Sequence, residues 1–301
     1  MNATRSTWRG YLFVAPATVY LMLFSFLPML VAAYLSLHRW HLLSSVGGES
    51  AGGTYVGLSN YVELAGNPFF RNAIANTLYF VVLSVPLGVA SALAIALLVS
   101  RPLPGMPLFR TLFYVPAVSS GVAISMVWIW VFLPDVGLIN YMLRLLGFEG
   151  STDFLNDTRW AMPALVLVSV WVGLGPRMVI FLAGLQGIPG PLYEAASLDG
   201  CGALRRFRHI TLPMLSPTML FVLVTSTISA FQLFTHVYMM TKGGPRRTTE
   251  VLAYTIYKEA WQKFELGMAS AQSYVLFLLT LILSLVQLRL MRRGLRGMET
   301  C

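Results

Sequence analysis

The chain has 301 residues, 56% of them hydrophobic and only 11% charged, where a soluble globular protein carries roughly 25% charged residues. That deficit excludes a soluble enzyme, a disordered chain and a small disulfide scaffold, and leaves a membrane protein. The formal net charge of +9 does not point to nucleic acid, because the cations stand singly between apolar runs instead of forming the dense basic patch that a phosphate backbone requires.

A bilayer core about 30 Å thick takes roughly 20 apolar helical residues per crossing. In chain order the runs long enough are 11–37, 73–100, 111–134, 161–184, 210–241 and 266–288. They predict an all-α membrane protein with six transmembrane helices in a single domain, 1–301. Arg5 and Arg9 precede the first run as in a signal peptide, but the run far exceeds the roughly 7–15 apolar residues of such a peptide, so it should stay as an anchor. Between the first two runs the stretch holding Ser44, Ser45, Gly47, Gly48, Ser50, Gly52 and Gly53 predicts a mobile loop centre. Pro28, Pro86, Pro116 and Pro176 fall inside runs and predict kinks. Arg177 interrupts the fourth run near one end, where its side chain could snorkel to headgroups. The alternative for Arg177 is a gate or a contact for an anionic solute.

Orientation follows from the loop cations. Arg101, Arg110, Arg205, Arg206 and Arg208 sit in short loops on the side of the termini, with Arg5, Arg9, Arg289, Arg292, Arg293 and Arg296, while cations and acids balance on the other side. The positive-inside rule then places both termini in the cytoplasm. Cys201 and Cys301 fall on that reducing side, without His or Asp at ligand spacing, so neither a disulfide nor a metal site is expected.

Between the fourth and fifth runs, Pro191 should start a short helix that Gly200 stops, followed by a second, basic helix ending before Pro213. Together they predict a protruding knob. Ala195 and Ala196 keep the first helix low enough for another protein to approach, Glu194 is expected in the first turn where the helix dipole favours a carboxylate, and Gly200 permits a reversal that a Cβ would resist. An interfacial helix with arginines on lipid phosphates is the alternative. The ordered string Glu194-Ala195-Ala196-Ser197-Leu198-Asp199-Gly200, continued by Phe207, Ile210, Leu212 and Pro213, resembles the EAA motif of the permease subunits of binding-protein-dependent ABC importers.

Further segments are similar to the carbohydrate branch of that family: Val14-Ala15-Pro16, Tyr34-Leu35-Ser36-Leu37, Gly57-Leu58-Ser59-Asn60-Tyr61, Asn76-Thr77, Phe109-Arg110-Thr111 and Thr241-Lys242-Gly243-Gly244-Pro245. The resemblance covers nearly the whole chain. It implies the ABC importer permease fold in a bacterial or archaeal inner membrane. The implied partners are a second homologous permease, two ATP-binding subunits and an extracytoplasmic solute-binding protein. Glu194, Ala195, Ala196, Asp199, Gly200 and Pro213 would couple the chain to an ATPase cleft. No cofactor would belong to this chain, since ATP and Mg would sit on the partner ATPase.

Other function classes lack their residues. The three lysines, Lys242, Lys258 and Lys263, follow no glycine, so no Walker loop is present, and His38, His41, His209 and His236 lack the spacing of an intramembrane protease. A secondary transporter of a small polar solute is the main alternative, yet such machines place carboxylates in the membrane and no Asp or Glu falls within the six runs. A membrane scaffold is a further alternative.

For the solute path, positions matched from Leu185-Gln186-Gly187-Ile188-Pro189 give Ser169 and Gly173, leaving room and one hydroxyl. Thr225, Ser229, Gln232 and His236 recur at helical spacing, so one face of a single helix should carry all four, beside the ring faces of Phe231 and Phe234. Packing against neighbouring helices is the alternative for this stripe. Ala230 and Leu233 stand where the maltose permease pattern has asparagines, so maltose contacts do not carry over. A saccharide, an amino sugar and glycerol phosphate all fit.

Overall fold

The computed structural model describes residues 3–42, 53–100, 104–148 and 150–299. The stretch from Ser44 to Gly52, expected to be mobile, lies outside them, as do Arg101 and Cys301. In chain order the elements begin with α1 (Ala3–Leu21), α2 (Leu27–Ser36), β1 (His38–Arg39), β2 (Thr54–Tyr55), α3 (Ser59–Gly66) and α4 (Pro68–Val99). There follow α5 (Met106–Val118), α6 (Gly121–Val131), α7 (Leu138–Leu145), α8 (Ala161–Gln186), α9 (Gly190–Leu198), α10 (Ala203–Arg206) and α11 (Leu212–Met214). The chain continues through α12 (Ser216–Phe231), α13 (Leu252–Tyr257) and α14 (Leu266–Glu299).

Four helical stretches are long and apolar enough to cross a membrane, namely Phe13–Ser36, Pro68–Val99, Ala161–Gln186 and Leu266–Met291. Two bent pairs bring the number to six if each pair is one span. The third run is therefore not one helix. α5 and α6 meet at 102°, because Pro116 in the last turn of α5 removes a ladder hydrogen bond and Ser119 is extended at φ −83°, ψ 152°. The fifth run bends by 68° between α11 and α12, where Pro213 and Pro217 flank Leu215. α4 and α8 continue through Pro86 and Pro176.

Two prolines share a different solution. A π-turn at Met22–Phe26 precedes Pro28, with the Leu27 N–H reaching back to the Met22 carbonyl, and a π-turn at Phe207–Thr211 precedes Pro213 in the same register, with Leu212 N–H on Phe207. The wider turn moves away the carbonyl that a proline ring would otherwise crowd.

The chain divides into two compact units. The first comprises Met1–Arg71 and Thr255–Phe277. Here β1 pairs antiparallel with β2, His38 opposite Tyr55, and the end of α2 is closed by α3. Asn60 Nδ2 donates to the carbonyls of Ser36 (2.8 Å) and His38 (3.1 Å), and Tyr61 Oη donates to Ser36 Oγ at 2.8 Å. The bond to Ser36 satisfies a carbonyl that the C-terminus of α2 leaves without a partner, which accounts for the buried Asn60 in the Gly57–Tyr61 segment.

The second unit comprises Asn72–Tyr254 and Leu278–Cys301. Glycines on α8 let its neighbours approach closely. A Cβ at Gly175 would lie 2.7 Å from Tyr114 Cα on α5, and one at Gly184 would lie 2.7 Å from Thr218 Oγ1 on α12. At the start of α4, Asn76 Nδ2 donates to the carbonyls of Arg247 (2.9 Å) and Glu250 (3.0 Å), and Thr77 Oγ1 accepts the Leu252 N–H at 2.9 Å. The Asn76-Thr77 pair thus holds the loop that follows Gly243-Gly244-Pro245.

Candidate functional site

Two features of the second unit bear on function: a cavity among α4, α8 and α12 with polar side chains set in a mainly apolar lining, and the loop α9–α11. The cavity measures about 550 Å³, and Ser169, Gly173, Thr225, Ser229, Gln232 and His236 all line it. Thr225, Ser229, Gln232 and His236 do not reach it from one continuous helix, although their spacing predicted one. α12 ends at Phe231, Gln232 adopts φ −90°, ψ 15°, and His236 follows a non-helical break. Side-chain hydroxyls compete with the ladder as this end is approached: Thr225 donates to the Phe221 carbonyl (2.8 Å), Thr227 to Leu223 (2.9 Å) and Ser229 to Thr225 (2.9 Å). Phe234 lines the cavity, whereas Phe231, expected to offer a ring face, is buried in the core.

His236 Nδ1 lies 2.9 Å from Ser125 Oγ, and that hydroxyl donates at 2.7 Å to the Gly121 carbonyl. Since a hydroxyl has one proton, Ser125 Oγ accepts from Nδ1–H, and the neutral ring then keeps Nε2 as an acceptor.

Arg177 departs furthest from expectation. Its side chain does not run toward the Gly184 end of α8. It folds back one turn over Gly173, where a Cβ would lie 2.7 Å from Cζ and Nη1, and against Gly88 on α4, where a Cβ would collide with Nη1. Nε donates to Ser226 Oγ on α12 at 2.9 Å. The room left by Gly173 is thus filled by the guanidinium, as expected for a helical side chain that leans toward its own N-terminus. Arg177, Ser84, Ser226 and Thr235 also line the cavity. Sequence reasoning did not assign Ser84, Ser226 or Thr235, although the spacing of Gly173 and Arg177 was a signal for the inward guanidinium.

The loop is built by local rules. Pro191 stands in the first turn of α9. Gly200 sits at φ +72°, its N–H donates to Ser197 O at 3.1 Å and the Cys201 N–H to Ala196 O at 2.9 Å, which is the Schellman closure. Two expectations are corrected. α9 starts at Gly190 with Pro189 as its cap, so Glu194 is the fifth helical residue and lies beyond the first turn, where the dipole gives it little. The second helix does not end before Pro213, because the π-turn at Phe207–Thr211 carries it on to Met214.

Glu194, Ala195, Asp199 and Gly200 are exposed, Ala196 is buried, and Pro213 is half-buried. Side-chain bonds fix the loop to itself: Arg206 Nη1 donates to Ser197 Oγ at 2.8 Å, and Tyr193 Oη lies 2.9 Å from Thr211 Oγ1. On this frame Leu198 is 91% exposed and Leu204 79% exposed, so two apolar side chains project where the loop's own core could not use them.

Apolar spans of the second unit around a cavity that carries polar side chains, with a self-braced loop outside those spans, fit a membrane transport subunit. Residues 102–296 match the family of binding-protein-dependent transport system inner membrane components, and the chain belongs to that family: it is a permease of a binding-protein-dependent ABC importer in the inner membrane. It is 38% identical over 94% of its length to 96% of the probable ABC transporter permease protein YurN of Bacillus subtilis. It is 33% identical over 96% of its length to 96% of the sn-glycerol-3-phosphate transport system permease protein UgpA of Pectobacterium atrosepticum. Among solved structures, a bacterial ABC transporter involved in import of the acidic polysaccharide alginate has the same fold, with a TM-score of 0.80 at 23% identity, covering 96% of both chains.

Proposed function

We propose that this permease forms half of the membrane pathway for a carbohydrate solute, opened by ATP hydrolysis on partner subunits. A second homologous permease supplies the other half, an extracytoplasmic binding protein delivers the solute, and two ATP-binding subunits with their ATP and Mg act from the cytoplasm, where both termini lie. Glu194, Ala195, Asp199 and Gly200 form the coupling surface; Ala196, expected on that surface, is buried and supports it from beneath, with Pro213 in the helix that carries it back to the membrane. A relative named for sulfoquinovosyl glycerol transport supports a solute of this class.

The observation that carries the reading is the composition of the cavity. Hydroxyls from Ser169, Thr225 and Ser229, the Gln232 amide and the His236 ring surround it, with Phe234 beside them. A sugar needs both donors and acceptors for its hydroxyls and an apolar face for its ring, and this set supplies all three. A solute that must leave again is held weakly, so no single one of these residues is essential. Gln232→Ala and Ser229→Val should each alter the relative uptake rates of alternative sugars by the assembled transporter. Unchanged uptake of every transported solute in both variants places the path elsewhere.

A further inference from the structure

We propose that this cavity recognises an oxyanion, a carboxylate, phosphate or sulfonate carried by the transported solute, and that Arg177 is the cation that reads it. The proposal rests on the reading of the cavity as the solute pathway and adds the charge of the solute. Three facts point the same way. The guanidinium is held inside the bundle by Ser226 Oγ on Nε and by the space that Gly88 and Gly173 leave for it. Among the described residues its charge meets no carboxylate, and none of the lining residues is Asp or Glu. Its Nη1 is buried with no hydrogen-bond partner among the described residues, and so are two further lining hydroxyls, Ser84 Oγ and Ser169 Oγ.

Buried polar groups are normally paired, and buried charges almost always. Three buried donors without a partner among the described residues, on side chains that line one cavity and one of them cationic, match the needs of an oxyanion, which accepts several hydrogen bonds and neutralises the guanidinium. Thr225 and Ser229 differ, because their protons go to backbone carbonyls and their oxygens present acceptors. The same cavity therefore offers donors and a positive charge to an acidic group and acceptors to a hydroxyl. A lipid headgroup is disfavoured as the anion, because the side chain turns back over Gly173 instead of toward the helix end.

The test uses the assembled transporter, this permease with its second permease, ATPases and binding protein, in proteoliposomes. Four labelled probes separate charge from sugar: a glucuronate-containing disaccharide, its neutral counterpart, glycerol 3-phosphate and glycerol. The expected result is uptake of an acidic probe over its neutral counterpart, a loss of about tenfold or more with Arg177→Gln, and retention within about threefold with Arg177→Lys. Equal uptake of a transported acidic probe and its neutral counterpart, no uptake of either acidic probe, or Arg177→Gln uptake within about twofold of the parent overturns the proposal. Should Arg177→Gln fail to assemble, the acidic-to-neutral preference of the parent transporter decides the matter without it. Uptake of glycerol 3-phosphate but of neither disaccharide leaves this inference standing and defeats the carbohydrate reading, and uptake of the neutral disaccharide alone does the reverse.

Discussion

Gly200 sits at φ +72° with nothing within 4 Å of where a Cβ would stand, so the residue is required by its backbone and not by crowding. A side chain there costs about 1–2 kcal/mol in the left-handed region, and more if β-branched. Gly200→Val should therefore open the closure between α9 and α10 and cut solute uptake by about tenfold at unchanged membrane level, with Glu194→Ala much milder; uptake assays with immunoblots check both. Gly173→Ala is a steric test of another kind, because its Cβ would meet the Arg177 guanidinium. It should lower uptake as Arg177→Gln does, and normal uptake would mean that the guanidinium has freedom the packing denies it. Gly200 was legible in the sequence because a helix stop is a local event. The direction of Arg177 was legible only in part, since the Gly173 spacing is local but the other half of its setting is Gly88, far away in the chain, and only the packing of α4 on α8 brings the two together.

At the scale of elements, hydropathy located the runs, since length and apolarity are what a bilayer demands, but it could not see the breaks inside them. The turn between α5 and α6 depends on Ser119 and Ser120 leaving helical geometry after Pro116, and residues of that kind occur in unbroken helices as well. The end of α12 at Phe231 was equally hidden, because Gln232, Leu233 and Phe234 carry no breaker. Pro213 misled in the opposite sense: a proline reads as a stop, yet a π-turn makes room for it. The loop's exposed apolar tips lead to a prediction at this scale. If Leu198 and Leu204 dock on an ATPase, an aspartate at either position places a charge in a closed contact, where an anchor residue contributes about 2 kcal/mol or more. Leu198→Asp and Leu204→Asp should each reduce co-purification of the ATPase by about tenfold or more while the permease reaches the membrane. Full retention of the ATPase in both variants would assign the loop to lipid.

For the molecule as a whole, the absence of any Asp or Glu from the apolar runs was the feature that separated an externally powered permease from an ion-coupled one. The loop cations predict the orientation. A cysteine at Tyr55, a residue that is itself exposed, should react with an impermeant thiol reagent added outside sealed right-side-out vesicles, and Cys201 should not. Labelling of Cys201 in intact vesicles would invert the orientation. The energy source is tested most directly by solute uptake in sealed proteoliposomes holding both permeases and the ATPases, with solute-loaded binding protein outside. Uptake should require ATP in the lumen, stop when ATP is replaced by a non-hydrolysable analogue, and gain nothing from an imposed proton or sodium gradient; accumulation driven by such a gradient without ATP would contradict the account.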